Sequence, residues 1–356
     1  MLRVHVPLLH HIPVGVRPSF LARFTVVLMN LDTQPTEYTL FRYLAFGRCI
    51  LYLARRGGRK HSNSLAQEIV CRLRLWDTND IPYLWQQAQN SALVQSARRS
   101  ARIQQRVLPD PTLRRIERLL SDGDCSKACS ALLAEPPIEM SLATFSKLLD
   151  LHPDGAFSFD MTALPNMERI SDFSVAEVIS TLRSFKKSSS AGVSGIRPGH
   201  ILSLLEVQGS NRLVHTLRSL TSKLANFEVP QCLSPLLCGA RLIALRKPNG
   251  DPRPIACGDV FRRLTSKLVL SRALPLVSPK LLPVQLGISV PSGNEMIFHQ
   301  VCSQLNTSTL DEQNLLLLDL KNAFNSIDRS SIMKAITKYC PLLLRWFAWS
   351  YGVKLW

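Results

Sequence analysis

Residues 314–332 read NLLLLDLKNAFNSIDRSSI, and the fold assignment starts from this stretch. Four consecutive leucines, Leu315–Leu318, lead directly into Asp319, and Phe324 follows five residues later. A short run that is apolar on both faces predicts a buried strand, here Leu315 to Asp319. A carboxylate at the end of a buried strand is costly unless it binds a metal ion, a hydrogen-bond donor or water. Asp319 is therefore a candidate metal ligand, and the alternative is a local ion pair with Lys321.

The chain is strongly basic. Its 356 residues include 43 Lys and Arg against 26 Asp and Glu, which gives a formal net charge of +17. A positive excess of this size favours a polyanionic partner, most simply nucleic acid, and the alternative is charge that serves only solubility. Hydrophobic residues make up 46% of the chain, which is enough for a substantial core. No apolar run approaches the length of a membrane span, so no membrane partner is expected.

The chain contains nine cysteines, an odd number, and no Cys-x-x-Cys motif. This pattern favours reduced thiols in an intracellular protein, nuclear or cytoplasmic. Cys125 and Cys129 lie four residues apart on a predicted helix, and His152 follows downstream. A zinc site there is one interpretation. Burial of both cysteines in the core is favoured over it, because no second close pair of ligands follows.

Residues 1–170 are predicted to be mainly helical and basic, and they contain two cationic groups that suit phosphate. The first group surrounds two glycines in a turn. The second recurs every four residues, along one face of a helix predicted within residues 91–107. Both groups are candidate nucleic-acid-binding surfaces, and the alternative for each is a solvated charged surface. Their members are Arg55, Arg56, Arg59 and Lys60 in the turn, and Arg98, Arg102 and Arg106 on the helix.

Residues 171–356 add predicted strands. Leu242–Leu245 and Arg253–Ala256 flank Asn249-Gly250, a sequence that predicts a β-hairpin turn. Lys247 and Arg253 lie on either side of this turn, and two cations projecting over one space suit a triphosphate. The alternative is an exposed charged edge of a sheet, which edge strands usually carry.

Helices in this second region are predicted from their start signals and periodicity. Ser174 and Glu177 have the spacing of a capping box, and Asp328 or Ser330 caps a later helix. Two further helices are predicted over residues 260–274 and 294–305, and residues 285–290 are predicted to be extended.

Four blocks of the second region occur in an order that resembles a known family. Residues 190–201, SAGVSGIRPGHI, are similar to an early family block, SAGPDGIRPEHL, and residues 242–268 are similar to its fingers block with a Lys and an Arg-Pro-Ile. Residues 285–301 resemble its Gln-x-Gly segment, and residues 315–329 resemble its first palm block, an Asp followed by an aromatic five residues on. The family is the reverse transcriptases of non-LTR-type retrotransposons and related eukaryotic retroelements. The basic N-terminal helices are similar, less specifically, to the region that precedes the polymerase in some of these elements.

The resemblance implies an α+β fold, an incomplete right-hand polymerase with fingers and a partial palm over residues 171–356, behind the helical region 1–170. It implies RNA-directed DNA synthesis by two-metal nucleotidyl transfer, with Mg²⁺ as cofactor and an RNA template, a DNA primer and deoxynucleoside triphosphates as partners. It implies roles for individual residues: Asp319 as catalytic metal ligand, the Leu320 carbonyl as a second metal contact, Phe324 as the gate against a ribose 2′-hydroxyl, Lys247 and Arg253 on the triphosphate, and Gln285 and Gly287 along the template. For Phe324 the alternative is plain core packing.

The sequence also departs from the family pattern. The Gln-Gly block and the aromatic-x-Asp-Asp turn that should follow the first palm block are absent, and the sequence contains no Asp-Asp pair. Two-metal transfer needs several carboxylates around two ions, so Asp319 alone is insufficient. We therefore expect a truncated chain that is inactive by itself. Two other interpretations stay open, a non-catalytic nucleic-acid-binding remnant and a product without a role.

Overall fold

The structure is a computed structural model. It describes residues 6–53, 65–105, 111–121, 123–133, 138, 141–152, 159–186, 188–247, 249–288, 290–307, 316–320 and 322–352. Helices dominate the first half of these residues, as the sequence predicts for the N-terminal region. Their bounds are α1 Arg17–Thr33, α2 Glu37–Ile50, α3 Leu65–Asp77, α4 Ile81–Gln105, α5 Pro111–Ser121, α6 Cys125–Leu133 and α7 Leu142–Asp150. Short 3₁₀ helices cover Val14–Val16 and Met161–Asn166.

The second half combines helices with one β-hairpin. The helices are α8 Val175–Arg183, α9 Pro198–Leu205, α10 Asn211–Ala225, α11 Ser234–Leu237, α12 Val260–Leu281, α13 Gly293–Thr307, α14 Ala323–Ser326, α15 Arg329–Tyr339 and α16 Leu344–Tyr351. The strands are β1 Ala240–Arg246 and β2 Pro252–Gly258, and 3₁₀ helices cover Gln231–Leu233 and Pro341–Leu343.

One hydrophobic cluster holds helices from both halves of the chain together. Phe20 and Phe24 of α1 pack against Phe46 of α2, with ring centroids 5.0 and 5.6 Å from that of Phe46. The same cluster continues through Leu217 of α10 to Trp349 of α16. Full burial of each such side chain contributes roughly 1.5–3 kcal/mol, so this cluster is the main source of stability. The division of the chain at residue 170 stays a prediction, since the core includes residues from both sides of it.

Side-chain caps start three helices where the sequence signals lie. The Ser174 hydroxyl accepts from the Glu177 backbone N–H at 3.1 Å, and the Glu177 carboxylate accepts from the Ser174 N–H at 2.7 Å, which confirms the capping box. Asp328 caps α15 through the Ser331 N–H at 2.7 Å. Asp259 caps α12, which runs to Leu281 and is therefore longer than the predicted 260–274.

The predicted hairpin is confirmed. Strands β1 and β2 pair antiparallel in the register Leu242↔Ala256 and Ala244↔Pro254. Pro254 has no N–H to donate, and it lies where none is needed, because the Ala244 carbonyl points away from β2 and accepts from the Ile138 N–H at 3.2 Å. The hairpin is the only sheet among the described residues.

The predicted buried strand Leu315 to Asp319 is wrong where the structure describes it, over residues 316–320. This segment is irregular, and Leu316, Leu317 and Leu318 are 79%, 82% and 80% exposed. A run that is apolar on both faces needs a neighbouring strand on each edge and a layer over each face. The described residues supply no strand beside it, since their one sheet is the β1–β2 hairpin.

Residues 285–288 are irregular, with a bend at residues 287–288, rather than the extended segment predicted over residues 285–290. The Gln285 side-chain oxygen accepts from the Gly287 N–H at 2.7 Å. A side chain that accepts a hydrogen bond from the backbone two residues later competes with extended structure. The N-terminus of α13 follows at Gly293, close to the predicted start.

Candidate nucleic-acid interface

The β1–β2 hairpin brings its two candidate cations onto one face. Register pairs Arg253 with Leu245, and Lys247 lies two residues beyond Leu245, so alternation along the strand puts Lys247 and Arg253 on the same side. The Lys247 N–H donates to the Asp251 carbonyl at 2.9 Å, and the Gly250 N–H donates to the Lys247 carbonyl at 2.8 Å. Gly250 has φ +84, a left-handed conformation that explains why glycine stands at the turn. Arg253 is exposed and Lys247 is half-buried, so both can reach an anion.

The hairpin and the start of α12 form a segment with unbalanced positive charge. Residues 240–267 contain seven cations and two carboxylates, and the hydrogen-bond acceptors of the three cations at the start of α12 are neutral. Arg262 donates to the Cys238 carbonyl at 2.5 Å and to the Tyr351 hydroxyl at 3.0 Å. Arg263 donates to the Ser190 carbonyl at 2.7 Å, and Lys267 donates to the Ser184 hydroxyl at 2.9 Å. A neutral acceptor satisfies hydrogen bonds without cancelling charge, so this segment attracts anions.

The two carboxylates of this segment do little to offset its charge at the surface. Asp251 forms an exposed ion pair with Lys147 of α7 at 3.7 Å, and Asp259 is fully buried. The remaining positive field therefore faces solvent around the hairpin, where a nucleotide or a nucleic-acid backbone could approach.

Asp319 does not form a metal centre with other described residues. Its segment is exposed, and no group of three or more His, Cys, Asp and Glu side chains in the described part of the chain is placed to hold a metal ion. Leu320, the proposed second contact, is 74% exposed. A pair of Mg²⁺ ions needs more oxygen ligands than one carboxylate and one carbonyl provide. The described residues therefore do not fit the two-metal site that the family resemblance implies.

Phe324 lies on α14, five residues after Asp319 as the sequence requires, and its side chain lies outside what the structure describes. Gln285 and Gly287 contact each other, because the Gln285 side-chain oxygen accepts a hydrogen bond from the Gly287 N–H. Their predicted template contact stays a prediction.

Helix α7 joins the hairpin to the segment that carries Asp319, and sequence reasoning missed this role. Lys147 contacts Asp251 in the hairpin turn at 3.7 Å, and the Asn322 side chain donates to the Leu151 carbonyl at 2.7 Å. Lys147 and Leu151 are one helical turn apart, about 6 Å along the axis. A signal was present in the sequence, because Ser141 has the N-cap position of α7 and accepts from the Thr144 N–H at 3.1 Å.

The N-terminal cationic groups are only partly described. Arg98 and Arg102 lie on α4 four residues apart, as predicted, and their side chains lie outside the described set. Arg55, Arg56, Arg59, Lys60 and Arg106 all fall on residues outside the described ranges. Their role in nucleic-acid binding stays a prediction.

A buried polar network ties the N-terminal helices to the base of the hairpin, and no sequence signal identified it. The Asp259 carboxylate accepts from the Tyr43 hydroxyl at 2.6 Å, from the Ser194 N–H at 3.1 Å and from the Phe261 N–H at 3.2 Å. All of Asp259, Tyr43 and Ser194 are fully buried. Burial raises the pKa of Tyr43 well above its ordinary value, and the Asp259 charge raises it further. Burial lowers the pKa of Arg263, and Asp259 opposes that shift.

Two glycines of the block at residues 190–201, Gly192 and Gly195, shape its packing next to this network. A Cβ on Gly192 would lie 2.4 Å from the Asp259 Cα and 2.5 Å from its N, so only glycine permits this approach. Gly195 has φ +78, a left-handed conformation. The block therefore packs against the N-terminus of α12, and this packing explains the two glycines without a bound ligand.

The described residues also bear on the predictions about the cysteines and about membrane-spanning helices. Cys125 and Cys129 are both exposed, so the expected burial in the core is wrong, and no metal-binding group includes them. All nine cysteines are free thiols, as expected. In the described ranges no helix has the length and apolar character needed to cross a membrane.

Comparison with curated proteins gives a partial likeness. The chain is 27% identical over 120 residues to the retrotransposable element SLACS 132 kDa protein of Trypanosoma brucei gambiense. The match covers 34% of this chain and 10% of the length of that relative. No protein-family model and no solved structure matches the chain. The likeness supports a retroelement-derived origin.

Proposed function

From this retroelement-derived origin, we propose that the chain is part of a reverse transcriptase, an RNA-directed DNA polymerase, and that its described residues bind nucleic acid. The fold proposed with it is an incomplete right-hand polymerase, with β1, β2 and α12 in the fingers and residues 316–339 in a partial palm. In this proposal Lys247 and Arg253 contact phosphate of an incoming deoxynucleotide or of the template-primer.

The observation that carries the proposal is the charge of residues 240–267. Seven cations stand against two carboxylates there, and the contacts of Arg262, Arg263 and Lys267 are neutral carbonyls and hydroxyls. The shared face of Lys247 and Arg253 adds a geometric reason, since two cations side by side match the oxygens of a phosphate chain. The retroelement likeness makes nucleic acid the relevant polyanion.

Binding to a labelled single-stranded RNA over a series of salt concentrations tests this proposal. The affinity should fall with salt on a log–log slope of about −0.7 for each phosphate contacted. Lys247→Gln and Arg253→Gln should each make the slope shallower by about 0.7, because each removes one phosphate contact. Arg169→Gln is the matched control, since its guanidinium is already paired with Glu228. Absent binding, or a slope that neither hairpin variant changes, contradicts the proposal.

A second function, nucleic-acid binding without catalysis, is favoured by one observation: in the described part of the chain Asp319 belongs to no group of three or more His, Cys, Asp and Glu side chains that could hold a metal ion. Primer extension with Mg²⁺, an RNA template and deoxynucleotides separates the two. The purified chain should bind the template-primer and extend it no faster than Asp319→Asn does. Robust template-dependent synthesis that Asp319→Asn abolishes would overturn the non-catalytic interpretation and place Asp319 at a working metal site.

A further inference from the structure

A solvent-open cavity lies between α3 and α4, in the N-terminal helical region and outside the charged hairpin. Its volume is about 530 Å³, which is within the range of about 300–1,000 Å³ typical of small-molecule sites. Residues at helical spacing line its two walls, from Gln67 to Leu75 on α3 and from Tyr83 to Val94 on α4. Tyr52, two residues beyond the end of α2, also lines it.

The floor of the cavity is a fixed polar group. Arg72 is 5% exposed, and its guanidinium lies 3.6 Å from the centroid of the Tyr52 ring. Its Nη1 donates to the carbonyls of Ile50 at 3.0 Å and Tyr52 at 2.7 Å, and its Nη2 donates to Glu68 at 3.3 Å. A guanidinium with this many bonds holds its position, so the shape of the floor is set before any ligand arrives.

The rim of the cavity carries neutral groups that can both donate and accept. Gln87 and Asn90 supply side-chain amides from α4, and Tyr83 supplies an aromatic ring that is 45% exposed. Among the described residues of the lining, only Arg72 and Glu68 are charged, and they pair with each other. The described lining is therefore neutral overall, in a chain of formal net charge +17.

This chemistry selects a planar, neutral ligand with hydrogen-bonding edges. A phosphate group would find no unpaired cation among the described lining residues and would meet the Glu68 carboxylate. A nucleobase fits better, because amide side chains bond base edges and an exposed tyrosine provides a stacking surface. We propose that the α3–α4 cavity binds an unstacked base of a single-stranded nucleic acid, an inference that rests on the nucleic-acid binding proposed above.

Cys71 provides an internal reporter for this site. Its thiol is exposed and lines the cavity, whereas Cys232 is exposed on the 3₁₀ helix Gln231–Leu233 and does not. The rate of alkylation of each cysteine is measured by mass spectrometry on the full chain, free and with a DNA single strand of roughly 12 nucleotides. A second strand of the same length and charge carries abasic tetrahydrofuran sugars in place of nucleosides. The normal strand should slow alkylation of Cys71 about fivefold or more, as expected for a stacked base, and leave Cys232 unchanged.

The abasic strand and two matched variants decide whether a base occupies the cavity. The abasic strand should bind through its phosphates and leave Cys71 as reactive as in the free chain. Gln87→Leu should weaken binding of the normal strand about fivefold, because one buried hydrogen bond is lost, with no effect on the abasic strand. Gln86→Leu, on the same helix and outside the cavity lining, should change neither.

The outcomes distinguish failure of the base site from failure of the proposed nucleic-acid binding. Equal protection of Cys71 by both strands, or binding of both strands without protection of Cys71, overturns the base site while nucleic-acid binding stands. Failure of both strands to bind removes the proposed function and the base site together. Protection by the normal strand alone, reversed by Gln87→Leu and kept in Gln86→Leu, establishes it.

Discussion

Replacing Asp259 with alanine tests the buried network that joins the N-terminal helices to the hairpin. The substitution removes the acceptor of three donors at once: the Tyr43 hydroxyl, the Ser194 N–H and the Phe261 N–H, at 2.6, 3.1 and 3.2 Å. Asp259, Tyr43 and Ser194 are fully buried, so water cannot take its place without rearrangement of the packing. The N-cap of α12 is lost in the same step.

The expected loss follows from counting these donors. An unsatisfied buried donor costs about 1–3 kcal/mol, so three cost about 3–9 kcal/mol before relaxation. Partial relaxation puts the expectation at about 3–5 kcal/mol, the range found when one partner of a buried charged group is removed. Tyr43→Phe deletes a single donor and should cost about 1–2 kcal/mol. Asp251→Ala, at an exposed ion pair in the hairpin turn, should cost less than about 1 kcal/mol.

Urea denaturation followed by circular dichroism measures these free energies of unfolding, with the slope checked for constancy across variants. The expected order of loss is Asp259→Ala, then Tyr43→Phe, then Asp251→Ala. A loss of under about 1 kcal/mol for Asp259→Ala would refute the reasoning, because it would mean that the three donors find other partners at little cost.

Three further predictions concern separate parts of the molecule. Burial, aided by the charge of Arg197, lowers the pKa of His200 from 6.5 to about 3, so at intermediate pH the unfolded chain binds a proton that the folded chain excludes. The free energy of unfolding should therefore fall by up to about 1.4 kcal/mol per pH unit below about pH 6.5. Urea denaturation of His200→Gln over the same pH series should show a shallower fall. Trp349→Phe should cost about 1–2 kcal/mol in the same urea assay, because the Val229 carbonyl loses its 2.8 Å hydrogen bond from the indole. Leu317→Lys should change the free energy of unfolding by under about 0.5 kcal/mol, since Leu317 is 82% exposed. A loss of several kcal/mol would instead support the predicted buried strand.

Local signals in the sequence predicted local structure well. Asn249-Gly250 predicted the hairpin, and Ser174 with Glu177 predicted the start of α8, because each depends on hydrogen bonds between residues fewer than five apart. The pairing of Lys247 and Arg253 on one face followed from the same information, since the turn sets the register and the register sets the face.

Signals that depend on distant partners failed. The run Leu316–Leu318 has the composition of a strand buried on both faces, yet a run of leucines does not identify the strands that must lie beside it. The described residues place no strand there. Cys125 and Cys129 were assigned to the core because no second close pair of ligands follows them, and α6 exposes both. In each case the composition of a segment indicates that it could be buried, whereas burial also requires other elements to pack against it.

The Asp259 network was invisible in the sequence for a related reason. Asp259 directly precedes α12 and looks like an ordinary N-cap, whereas the residue that makes it buried and multiply bonded, Tyr43, lies 216 positions away. Gly192 allows the close approach, and its neighbours gave no indication that the block packs against a carboxylate. Of the candidate site, the hairpin cations were therefore predictable, and the elements that hold the hairpin in place were not.

The base and the tip of the β1–β2 hairpin differ in how firmly they are held. This difference affects how Lys247 and Arg253 can contact a ligand. Strand β2 ends at Gly258 and passes directly into Asp259, so the base of the hairpin is fixed by the buried network and by α12. At the tip, residues 249–251 are exposed, and the contact to α7 is a solvent-exposed pair at 3.7 Å, which contributes at most about 1 kcal/mol. Segments with few buried contacts open at low free-energy cost. Lys247 and Arg253, close to this tip, can therefore adjust to a phosphate chain while the base of the hairpin keeps its place against the core.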